Sequence, residues 1–110
     1  MISLVENRKG ELGALCRRYG VARLYVFGSG AGDRFDPERS DLDFLVRMGG
    51  REPSGTYADR VLEFADALER LFQRRVDLVT EESIRNPYFR REVESTRQLL
   101  YEEPNQEAAA

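Results

Sequence analysis

Asp41 and Asp43, one residue apart, follow a Gly28-Ser29 pair after eleven intervening residues, and Asp77 sits in an apolar run of Val76, Leu78 and Val79. In an extended strand alternate side chains share a face, so Asp41 and Asp43 face one way while Leu42, Phe44 and Val46 face the other. Asp77 faces away from Val76 and Leu78 by the same alternation. If its strand lies beside the second, three carboxylates converge. Two like charges about 4 Å apart repel by roughly 4 kcal/mol at an effective dielectric of about 20, so the cluster calls for a cation. Oxygen-only donors favour magnesium or manganese, and magnesium keeps coordination sites for water and substrate phosphates. One or two ions fit this set, the second serving a leaving oxygen.

The Gly28-Ser29-Gly30 turn supplies a complementary feature. Gly28 permits close backbone approach, Ser29 offers a hydroxyl, and the amides that follow attract phosphate if they open a helical turn. Nucleotide phosphates would then bridge turn and metal. Arg39 and Arg34 lie in the adjoining loop and either contact phosphate or serve as solvated surface charge. Each piece also has an ordinary reading: a Gly-Ser pair is a turn, and an Asp-x-Asp pair is a solvated strand edge or a cap. Their order, with the turn after one apolar strand, the pair opening a second and a lone aspartate inside a third, points to a site.

The elements that must position these groups follow from periodicity. Leu4, Leu12, Leu15, Cys16 and Tyr19 recur at helical spacing before Gly20, which predicts one helix from Ser3 to Tyr19. Val21 to Phe27 and Asp41 to Met48 read as strands separated by a Gly/Asp/Arg/Pro loop. Ser54 is placed to cap a helix carrying Tyr57, Val61, Phe64, Leu68 and Phe72 on one stripe. Arg75 to Thr80 reads as a third strand, and Asn86-Pro87 opens a last helix predicted to reach Tyr101. The expected fold is α/β (α+β), a small mixed sheet flanked by helices. One domain spans 1–101 and 102–110 form a disordered tail.

Composition narrows the chemistry. With 110 residues the chain supports one core. It has no histidine, the commonest general base near neutral pH, and its single cysteine, Cys16, excludes internal disulfides and thiolate zinc sites. The net charge of -3 disfavours nucleic acid as a partner, although Arg17-Arg18, Arg74-Arg75 and Arg90-Arg91 form local basic pairs. No signal peptide opens the sequence and no stretch approaches the roughly 20 apolar residues of a membrane span, so a cytoplasmic protein without a membrane partner is expected.

Val26-Phe27-Gly28-Ser29 and Asp41-Leu42-Asp43-Phe44-Leu45-Val46, followed by Val76-Asp77-Leu78-Val79, resemble the minimal nucleotidyltransferases of the DNA polymerase beta superfamily. Asn86-Pro87-Tyr88 and Leu100-Tyr101-Glu102 extend the likeness over most of the chain. The resemblance implies the polymerase-beta-like fold, binding of Mg2+ and a nucleoside triphosphate, and transfer of a nucleoside monophosphate to a hydroxyl with release of pyrophosphate. It assigns the triphosphate to Gly28 and Ser29, metal to Asp41, Asp43 and Asp77, and help in deprotonating the acceptor to Asp77. Many relatives carry an Ala-Arg-Gly run after the turn. Here Gly30-Ala31-Gly32-Asp33-Arg34 displaces the arginine, which predicts a weaker grip on phosphate. Such proteins resemble the antitoxins of type VII toxin-antitoxin modules, which silence a HEPN-domain toxin by adding AMP from ATP to a tyrosine. A non-catalytic antitoxin acting by stoichiometric contact and an aminoglycoside-type small-molecule nucleotidyltransferase are the competing expectations.

Overall fold

In the computed structural model, which describes residues 3–32, 41–49 and 57–104, the two apolar runs that flank the Gly28 turn form the centre of a sheet. β1, Val21–Phe27, and β2, Leu42–Met48, pair antiparallel with Phe27 opposite Asp43. β3, Val76–Thr80, runs parallel to β2, and β4, Gln98–Glu102, runs antiparallel to β1, so the strand order is β3-β2-β1-β4. A parallel neighbour requires a crossover, and here it contains α3, Tyr57–Phe72.

Helices cover both faces because the central strand is apolar on both. Leu42, Phe44 and Val46 of β2 pack with Leu12 and Cys16 of α2, Lys9–Tyr19, and with Phe64, Leu68 and Phe72 of α3. Leu45, on the opposite face, packs with Phe27, Ile84 and Val93, the last from α4, Pro87–Thr96. Each such fully buried side chain contributes about 1.5–3 kcal/mol relative to exposure. Cys16 is wholly buried, and burial pushes its thiol up to about 12, as fits a core residue without redox chemistry. Among the described residues no helix is long and apolar enough to cross a membrane.

Gly20 closes α2 in the left-handed conformation at φ 71°, and the Asn86 side chain caps α4 by accepting from the amides of Tyr88 at 2.8 Å and Phe89 at 3.3 Å. Three expectations are corrected. The first helix is divided into α1, Ser3–Glu6, and α2, because Arg8 leaves the helical region at φ -113°, ψ 13°. Asn7 and Gly10, weak helix formers, flank that break. Tyr57 belongs to α3 but is 41% exposed, its hydroxyl donating to Glu82 at 2.6 Å rather than joining the core. The last helix ends at Thr96, not near Tyr101. Arg97 turns extended at ψ 143°, and the next five residues pair with the otherwise open edge of β1. Glu102 ends β4, and the Glu103 amide donates to the Ala22 carbonyl at 2.8 Å. Ser54 and 105–110 lie outside the described residues.

Candidate active site

The register of the parallel pair sets Asp43 of β2 directly beside Asp77 of β3. Neighbours in register project from the same face, here the one covered by α4, since Leu45 and Val79 share that face. Asp41 immediately precedes β2 with the same parity as Asp43. Asp41 and Asp77 are exposed, whereas Asp43 is half-buried. Burial pushes the Asp43 carboxyl up to about 6, and the charges of Asp77, Asp41 and Glu92 push in the same direction. Glu92 is a fourth acid with no sequence signal of its own; only the docking of α4 across the sheet brings it within electrostatic reach.

The turn after β1 is built against this cluster. Gly28 adopts φ 68°, and a Cβ there would stand 3.0 Å from Asp43 Oδ2. Glycine is therefore required both for the left-handed backbone and for room beside the carboxylate. Its amide donates to Thr96 Oγ1 at 3.0 Å. The Thr96 hydroxyl in turn donates to the Glu92 carbonyl at 3.0 Å, so the last turn of α4 clamps the Gly28 turn. Phe89 packs edge-on against Phe27 with ring centroids 6.0 Å apart, fixing the same helix to the end of β1. Gly28–Ala31 forms a single 3-10 turn containing Ser29 and Gly30, and Ala31 anchors it in the core at 7% exposure. Arg34 and Arg39 lie outside the described residues.

This donor set suits a hard divalent cation. All the groups are carboxylates, two of them are adjacent in register, and their mutual repulsion is what a cation would relieve. Among the described residues no three of these acids stand close enough to form a ready-made cage.

Residues 11–100 match the family described as the nucleotidyltransferase domain. A candidate protein adenylyltransferase of Methanocaldococcus jannaschii is 34% identical over 84 residues, covering 76% of this chain and 79% of its own. A solved structure described as a candidate minimal nucleotidyltransferase superposes with TM-score 0.67 at 34% identity, covering 88% of this chain and 95% of that one. A chain from the complex of a tri-AMPylated Shewanella oneidensis HEPN toxin with its MNT antitoxin superposes with TM-score 0.62 at 18% identity, covering 96% of this chain and 78% of that one. At that identity the likeness is one of fold.

Proposed function

The chain belongs to the nucleotidyltransferase domain family, and from that premise we propose that it transfers AMP from ATP to a tyrosine hydroxyl of a HEPN-type toxin, acting as its antitoxin. The supporting observation is the pairing of Asp43 with Asp77 beside the Gly28 turn. Magnesium held by Asp41, Asp43 and Asp77 would supply charge neutralisation and polarisation of the phosphate oxygens. The chain's own residues supply the rest. Gly28 keeps a side chain off the Asp43 carboxylate, Ser29 and Gly30 continue that turn toward the triphosphate, and Arg39 adds a cation for it. Asp77, exposed beside Asp43, takes the proton of the incoming tyrosine hydroxyl as its oxygen bonds the α-phosphorus and pyrophosphate leaves.

A protein-borne acceptor fits a site whose two outer carboxylates, Asp41 and Asp77, are open to solvent. The fold likeness to the antitoxin of the tri-AMPylated toxin complex points to the same class of acceptor. An ATP-dependent transfer fits the cytoplasm, where ATP is abundant.

The test is transfer of label from α-labelled ATP, with magnesium, to a purified HEPN partner and its tyrosine-to-phenylalanine variant. Label on the parental partner only, lost with Asp43→Asn or Asp77→Asn, is the expected result. An unlabelled partner that is nevertheless neutralised, by the parent chain and by Asp41→Ala/Asp43→Ala alike, would replace catalysis with stoichiometric binding.

A further inference from the structure

A second polar cavity lies on the α4 face of the sheet, and no candidate catalytic residue lines it. Its volume is about 190 Å³, and its charged lining is Arg23 of β1, Glu81 just after β3, and Arg90, Glu94 and Arg97 along or just past α4. Three guanidinium groups and two carboxylates line it, and Glu102, 3.7 Å from Arg23, balances the third cation.

These groups satisfy one another only in part: the Arg23 side chain bonds Tyr25 and lies within electrostatic reach of Glu81 and Glu102. Among the described residues neither Arg90 nor Arg97 has a carboxylate within ion-pair distance, and neither Glu81 nor Glu94 has a cation. Arg23 Nε stands 3.7 Å from Glu102, too far for a hydrogen bond. Arg23 Nε and Glu81 Oε1 are both buried and lack a hydrogen-bond partner. Arg90 is held in place by one bond, Nη2 to the Ile84 carbonyl at 2.6 Å, and the Arg97 guanidinium lies 4.7 Å above the Tyr25 ring. Both retain further N-H groups, since a guanidinium carries five donors. Buried polar atoms without partners mark places where a ligand or ordered water belongs.

We propose that this cavity binds a phosphate that still carries a hydrogen. The guanidinium groups need an acceptor, which any oxyanion supplies. Glu81, when ionised, accepts only and needs a donor. Phosphate at neutral pH keeps at least one hydroxyl and meets both demands, whereas sulfate keeps none. The cavity is large enough for one such ion with a few waters, each water taking about 30 Å³. Unlike the proposed catalysis, this site depends on no carboxylate of the Asp41, Asp43 and Asp77 set.

The test titrates the full chain with inorganic phosphate at constant ionic strength, following backbone amides and arginine Nε-H signals by proton-nitrogen NMR. Saturable shifts at Arg23 Nε-H and at the amides of Glu81 and Arg97 are expected, unaffected by Asp43→Asn. Arg97→Gln should weaken binding about tenfold or more by removing charge-assisted donors. Sulfate should bind more weakly than phosphate, and Glu81→Gln, whose amide donates, should close that gap. Competition by AMP at the same signals, stronger at about pH 5.5 where its phosphate keeps a hydroxyl than at about pH 7.5 where it does not, would identify a nucleotide phosphate as the source, and its failure at both would identify free phosphate. Shifts confined to the Gly28 turn, a linear response without saturation, or equal affinity for phosphate and sulfate in the parent would overturn the proposal. Signal dispersion reports whether each variant folds, and Arg90→Gln is the second variant should Arg97→Gln not fold.

Discussion

Replacing Gly28 with alanine should damage fold and site together, by an amount that can be divided. The backbone at φ 68° is left-handed, and a side chain there costs about 1 kcal/mol or somewhat more. The new Cβ would stand 3.0 Å from Asp43 Oδ2, so that carboxylate must move by a few tenths of an ångström. Forcing Asp43 off its preferred rotamer adds about 1 kcal/mol. The sum, about 2 kcal/mol, corresponds to a fall in Tm of about 10 °C for a domain of this size. Thermal melts with chelator measure this cost. In an Asp43→Ala background the contact vanishes and only the backbone cost remains, so a double-mutant cycle should give a coupling near 1 kcal/mol. In the transfer assay the displaced carboxylate should lower kcat/KM by about tenfold or more. If Gly28→Ala melts with the parent, or costs as much in the Asp43→Ala background, the packing of turn against carboxylate is refuted.

Asp43 titrates near 6 instead of 3.8, so its contribution to stability is fully present below the lower value and is lost as pH rises through the higher. Without metal, Asp43→Asn should therefore match the parent near pH 4 and exceed it by about 1 kcal/mol near pH 7.5, the full shift being discounted for solvent screening. Denaturant titrations at both pH values check this, and a variant weaker than its parent at the higher pH would make Asp43 a structural residue. Thr96→Val removes the acceptor of the Gly28 amide and should cost about 1 kcal/mol in denaturant melts, with Thr96→Ser restoring most of it. Equal stability of the valine and serine forms would remove the clamp. Arg60, 5% exposed, donates to the carbonyls of Tyr19 at 3.2 Å and Gly49 at 3.4 Å; Arg60→Met should cost about 2–3 kcal/mol, visible as a lower Tm. A melt within error of the parent would deny that role.

The features legible in the sequence are those set by local pattern. Val21–Phe27 begins and ends at residues that periodicity and turn chemistry mark, α3 ends at Phe72 where its apolar stripe ends, and Asn86-Pro87 opens α4 as its cap chemistry requires. Alternation alone puts Asp41 and Asp43 on one face. The placement of Asp77 beside Asp43 depends on a parallel register that no local pattern encodes. The last strand was hidden for a related reason. Phe89, Val93 and Leu100 continue a helical spacing through Gln98–Glu102, and the bare edge of β1 makes the strand the better partner. Glu92 and Thr96 read as surface helix residues until α4 is laid against the Gly28 turn. Asn7-Arg8 shows the converse, a short-range bend too subtle to interrupt an apolar stripe.

The bond between Gly28 and Thr96 joins residues 68 positions apart, and the strand that covers the edge of β1 comes last in the described chain. During synthesis β1 and β2 can pair early, yet the Gly28 turn stays unclamped until α4, which carries Thr96, has been made. Loop closure over such a span comes late in any folding order. A ribosome-bound chain thus presents its carboxylates before it presents a finished turn. A truncation that removes β4 would bare the edge of β1 that it covers.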